Sequence, residues 1–140
     1  MSATIEKVEG YLKQMGLTYR VVSEENRIIL PYKIRDRRFY VVIGFGDKWV
    51  RFHTLIASKD KMGKVDLGAL AKELLVANGN LAEVKYFMTD KGDVGVVGHE
   101  GVDVLTLEGF KQEYNAIPYG IGHFIDNIAS KLKVDVPGFE

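Results

Sequence analysis

The sequence has no cysteine, three prolines and a single tryptophan among 140 residues. Without cysteine there is no disulfide framework, no thiolate nucleophile and no zinc–thiolate site. With so little proline and no Ser- or Pro-rich stretch there is no linker, so 1–140 is expected to be one α+β domain. A chain of this length buries roughly two-thirds of its surface, enough for one core. No apolar run approaches the ~20 residues of a membrane span. Glu6, Lys7 and Glu9 make the N-terminus unlike a signal peptide, so a cytoplasmic protein is expected. Charge of one sign is also lacking: 19 Lys+Arg face 19 Asp+Glu. That balance argues against a bulk nucleic-acid coat and against an acidic disordered tail.

What is present is periodicity. Ile5, Val8, Leu12 and Met15 recur at helical spacing between Thr4, a candidate N-cap, and Gly16, a candidate C-cap. The period then drops to two. Strands are expected over 17–23, 27–34, 38–45 and 48–58, with turns at 24–26, 35–37 and 46–47. Pro31 cannot donate to a ladder, so an edge or bulge is expected there. Residues 39–43 are aromatic or β-branched throughout, which predicts burial on both faces. Asp66 caps a second helix whose apolar face is expected to be Leu67, Leu70, Leu74, Leu75 and Val76, ending at Asn78-Gly79. Strands over 82–88 and 94–99 form a hairpin about Asp90-Lys91-Gly92. Thr106 opens a last helical region, where Pro118, Gly120 and Gly122 predict a kink or a split. The tail from 134 is expected to fray. The order α-β-β-β-β-α-β-β-α implies an antiparallel sheet with helices on one face.

Residues that could carry chemistry are few. His53, His99 and His123 lie in separate elements with no metal-ligand spacing, so no metal and no cofactor is expected. Asp90 and Asp93 supply too few oxygens for a calcium loop. The glycines at 44 and 46 lead into a strand, not into the helix N-terminus that binds phosphate. No serine sits in a nucleophile elbow. The expectation is therefore a protein without enzymatic turnover.

Two surfaces remain. Trp49, Arg51, His53 and Leu55 share one strand face, an aromatic-bearing surface of the kind enriched at interfaces if helices leave it uncovered. It is the expected partner-binding site. Lys33, Arg35, Arg37 and Arg38, interleaved with Tyr32, Phe39 and Tyr40, form a basic–aromatic hairpin suited to a nucleic acid, the alternative partner. A further alternative is a small-ligand pocket between helix and sheet. Ile117, Ile121 and Phe124 on the last helix are expected to supply a dimer contact.

The stretch from Leu70 through Leu75 and Asn78 to Val84-Lys85-Tyr86-Phe87, Asp90-Lys91-Gly92 and Val94–Val97 resembles the YbjN-like family, described as "putative bacterial sensory transduction regulator". The element order resembles the type III secretion chaperone-like fold. The resemblance implies a homodimeric, non-catalytic module that binds another protein or regulates one, with no catalytic residue to carry over. Many secretion chaperones are markedly acidic, whereas this chain is neutral.

Overall fold

The computed structural model describes residues 2–139. The first helix, α1 (Ser2–Gln14), begins before Thr4, which lies inside it and is not the cap. It ends where expected: Gly16 takes φ +69°, and the amides of Gly16 and Leu17 bond back to Lys13 and Leu12. Six strands follow the expected order: β1 (Arg20–Val22), β2 (Arg27–Ile34), β3 (Arg37–Phe45), β4 (Trp49–Ala57), β5 (Lys85–Met88) and β6 (Val94–Gly101); β1, β4 and β5 are shorter than expected, β3 and β6 longer. They form one antiparallel sheet in the order β1-β2-β3-β4-β6-β5. Residues 82–84 are not strand. Glu83 is left-handed there and the Val84 amide bonds to Ala82, which turns the chain.

Pro31 lies on β2 just past the last β1 pair, Arg20↔Ile29, so its missing N–H interrupts no β1 ladder. The irregularity in register falls instead between Leu55 and Ala57 on β4. Burial along β3 alternates: Phe39, Val41 and Ile43 are buried while Tyr40 and Val42 are half-buried. The expected burial on both faces is thus corrected; helices cover only one of them.

Helix α2 (Leu67–Asn78) is capped by Asp66, whose carboxylate accepts from the Gly68 and Ala69 amides. Leu70, Leu74 and Ala77 are buried, but Leu75 and Val76, expected on the same face, are 73% and 58% exposed. At its end Asn78 bonds both ways with the Tyr86 backbone, donating to its carbonyl at 3.2 Å and accepting from its amide at 2.8 Å. The side-chain amide thereby acts as a short neighbour strand to the edge strand β5.

Helix α3 (Leu107–His123) is capped by Thr106 and runs without interruption through Pro118. The helix is not split at Pro118, and the reason is a contact from β2. Proline cannot donate to the carbonyl four residues back, Tyr114 O. That carbonyl instead accepts the Tyr32 hydroxyl at 3.0 Å, so it is not left bare. Gly120 also has a packing role: a Cβ there would sit 2.9 Å from Val96, so the glycine lets α3 lie close on β6. The helix loosens only afterwards, into a π-helical stretch at Phe124–Ala129 and a last turn, α4 (Ser130–Leu132).

The core lies between the sheet and these helices. Phe110 of α3 anchors it, with ring centroids 5.5 Å from Tyr11 of α1 and 5.3 Å from Phe52 of β4. The tail is not frayed. Val134 and Val136 are buried, Asp135 N bonds to Met62 O, and Phe139 N bonds to Arg38 O at 2.7 Å. This last bond falls where β3 and β4 have parted, since their pairing stops at Val42↔His53.

Candidate functional site

The side of the sheet away from the helices is assembled by register. One row across it is Arg27, Gly44, Arg51 and His99; the next is Ile29, Val42, His53 and Val97. Successive residues of each strand alternate between the two sides, so Val50, Phe52 and Ile56 enter the core while Trp49, Arg51, His53 and Leu55 face outward. The four residues expected to bind a partner are thus brought together on a helix-free face. Trp49 is 56% exposed, Arg51 is exposed, and His53 and Leu55 are half-buried.

The face is ordered by its own contacts. Trp49 meets His99 edge-on at 6.0 Å between centroids. The Arg51 guanidinium lies 5.9 Å from the centre of the Phe87 ring. Phe87 can lie across β6 because residue 95 is glycine: a Cβ there would come within 2.4 Å of the ring. Arg51 Nη1 is 3.1 Å from His53 Nδ1. A guanidinium only donates, so Nδ1 is the acceptor and the proton of the neutral ring sits on Nε2. Burial, then the charges of Arg51 and Arg27, push the His53 pKa down to about 4. His99 is lowered by burial and by Arg51. Both rings oppose protonation, first because they are partly buried and then because cations stand beside them.

The residues expected as a dimer contact are placed elsewhere. Ile117, Ile121 and Phe124 are fully buried in the core. They hold the last helical region on the sheet and present nothing to a second copy, a correction that helical spacing alone could not supply. Nor does the structure gather Lys33, Arg35, Arg37 and Arg38 into one patch. Lys33 and Arg38 are cross-strand neighbours, while Arg37 pairs with Ile34 one step along and alternates to the other side. Arg35 and Asp36 form a left-handed turn, φ 51° and 61°. That turn aims Arg35 at Asp126, with contacts of 3.3 Å and 2.5 Å. The arginine holds the Asp126 carboxyl below its usual range. Between this hairpin and α3 lies an open polar groove of about 570 Å³, lined by Lys33, Arg35, Asn115, Tyr119 and His123 among others.

One buried group escaped the sequence reading. Glu113 on α3 is 2% exposed and its Oε1 has no hydrogen-bond partner. It occupies a notch left by Gly98, where a Cβ would lie within 2.1 Å of that oxygen. Burial, a hydrogen bond with Glu83, and the charges of Glu83 and Glu100 raise its pKa to about 8. Among the described residues no group of three or more His, Asp or Glu side chains is arranged to hold a metal ion. No helix of the described residues is long and apolar enough to cross a membrane.

The sequence profile of YbjN, described as "Putative bacterial sensory transduction regulator", matches residues 4–110. No curated protein matches the sequence at a significant level. Among solved structures the chain is similar to YbjN of E. coli, titled a "putative transcription regulator", at 19% identity and a TM-score of 0.67, over 94% of this chain and 95% of that one. It is also similar to a chain of the ExsC-ExsE complex, at 13% identity and a TM-score of 0.59, over 82% and 85% of the two chains. A third is a chain of the heterodimeric ExoU-SpcU complex from the type III secretion system of Pseudomonas aeruginosa, at 18% identity and a TM-score of 0.59, over 83% and 93%. At these identities the likeness shows the fold.

Proposed function

The chain belongs to the YbjN family, and from that premise we propose that it is a non-catalytic module that binds another polypeptide on the helix-free side of its sheet. The observation that carries the reading is Trp49, 56% exposed beside Arg51, His53 and Leu55 on a face no helix covers. Tryptophan and arginine are both among the residues enriched at the energetic centres of protein interfaces. Several of the similar folds were solved as complexes with a second protein, which supports a polypeptide as the partner class. Homodimerisation belongs to the same reading, though not through the buried residues of α3. Leu75 and Val76 on α2 are the exposed apolar side chains that a second copy would cover. The reading places the protein in the cytoplasm with its partner.

Trp49→Ala and Arg51→Glu test it. Both positions are exposed, so each variant should keep the parent far-UV spectrum and unfolding midpoint while losing the proteins that the parent retains in affinity capture. Equal capture by parent and variants refutes this face. Light scattering after size exclusion tests the dimer: a species of constant mass across protein concentration supports it, and a monomer throughout rejects it.

A further inference from the structure

The chain is neutral as a whole, but its charge is segregated. Within the six strands the one acidic residue is Glu100. Register sets Glu100 opposite Val50, which is fully buried, and its Oε1 points toward Gly109 of α3. It therefore lies on the helix-covered side. Alternation sends Arg20, Arg27, Lys33, Arg38 and Arg51 to the other side, and every one of them is exposed. At its margin Glu25, from the turn before β2, meets Arg27 at 3.4 Å.

The cations are not spread evenly. Arg27 and Arg51 stand in one row, and Lys33 and Arg38 in another, six residues along β2. Between the rows lie half-buried apolar groups, Ile29, Val42, Leu55, Phe87 and Val97, with Arg20 and Lys85 at the two ends of the row that joins Ile29 to Val97. Six residues of strand span roughly 20 Å. We propose that this face takes an extended acidic segment of a partner polypeptide, its carboxylates over the two cation rows and its apolar side chains over the band between them. The proposal rests on the protein-binding reading above and adds the chemistry of the partner. Charge complementarity of this kind steers encounter and selects partners, and it weakens with salt.

The test uses fluorescence anisotropy with three labelled probes. One is an extended peptide with leucines and valines between two pairs of glutamates spaced to match the rows. The second replaces its glutamates with glutamines, and the third is an oligothymidine of the same negative charge. The acidic peptide should bind at least about tenfold more tightly than the glutamine peptide, a difference of ~1.4 kcal/mol. That advantage should shrink as salt is raised, and most of it should vanish in the Arg27→Gln, Arg51→Gln double variant with its fold intact by circular dichroism. Equal binding of both peptides, abolished by Trp49→Ala, overturns the acidic partner while leaving a protein-binding face. Tighter binding of oligothymidine than of the acidic peptide overturns it in favour of a nucleic acid. Binding of none of the probes removes the proposal and, where Trp49→Ala also leaves partner capture unchanged, the protein-binding reading with it.

Discussion

Replacing Tyr32 by Phe isolates the device that lets α3 run through a proline. The hydroxyl bonds Tyr114 O at 3.0 Å, and Tyr114 is only 4% exposed. Phenylalanine keeps the ring contact with Tyr114, 5.1 Å between centroids, and deletes only the donor. The carbonyl is then left without the bond that proline denies it. An unsatisfied buried acceptor costs about 1–3 kcal/mol, so Tyr32→Phe should destabilise by about 2 kcal/mol. In a Pro118→Ala background the new amide at 118 can donate to the same carbonyl in the ordinary helical manner. The Tyr32→Phe cost should fall below about 1 kcal/mol there, giving a coupling of at least about 1 kcal/mol in a double-mutant cycle. Urea unfolding of the four proteins, followed by circular dichroism at 222 nm, measures it. An equal cost of Tyr32→Phe in both backgrounds would refute the reasoning and assign the hydroxyl no role in tolerating Pro118.

Other perturbations have defined outcomes. Glu113 holds in the folded state a proton that the unfolded chain releases near its ordinary value of 4.5, because its folded value is about 8. Stability should therefore fall as pH rises between these values, by at most ~1.4 kcal/mol per pH unit, and level off above them. Glu113→Gln, which stays neutral, should flatten that slope in urea midpoints taken from pH 5 to 9; an unchanged slope would show that another group titrates. Gly95→Ala puts a methyl within 2.4 Å of the Phe87 ring and 2.8 Å of Thr54 O, so a loss of about 1–3 kcal/mol is expected, measured by thermal unfolding. Ending the chain after residue 133 removes buried Val134 and Val136 and should lower stability by about 2 kcal/mol or more. An unaltered midpoint would mean the tail only rests on the fold. Arg35→Ala should cost less than about 1 kcal/mol in the same assay, since both partners of its ion pair are about half exposed.

Much of the fold was legible because it rests on local chemistry. Asp66 and Thr106 announced helix starts through their capping oxygens, and both do cap. The alternation of 27–34 marked β2 to the residue. The four-residue face of Trp49, Arg51, His53 and Leu55 was readable from period two alone. The errors share another cause. Leu75 follows Leu67 at i+8 as readily as Leu74 follows Leu70 at i+4, and only the packing of α2 against β5 chooses Leu70, Leu74 and Ala77. Ile117, Ile121 and Phe124 form a stripe that suits a partner as well as a core, and the sheet occupies it first. Pro118 looked like a break because the donor that serves its orphaned carbonyl, Tyr32, lies 82 residues before that carbonyl in the chain.

By itself the sequence determined the elements, their order and the two faces of each strand, because backbone period and capping act over a few residues. It also determined the charge segregation: with Glu100 the one acidic strand residue, the sheet's cations had no carboxylates among them. Tertiary structure alone decided which face the helices would cover, and so whether Trp49 is core or surface. It alone set Phe87 on Gly95 beneath Arg51, sank Glu113 beside Glu83, and drew the tail into the gap between β3 and β4. Each of these depends on register and packing between segments far apart in the chain, where no local pattern carries the information.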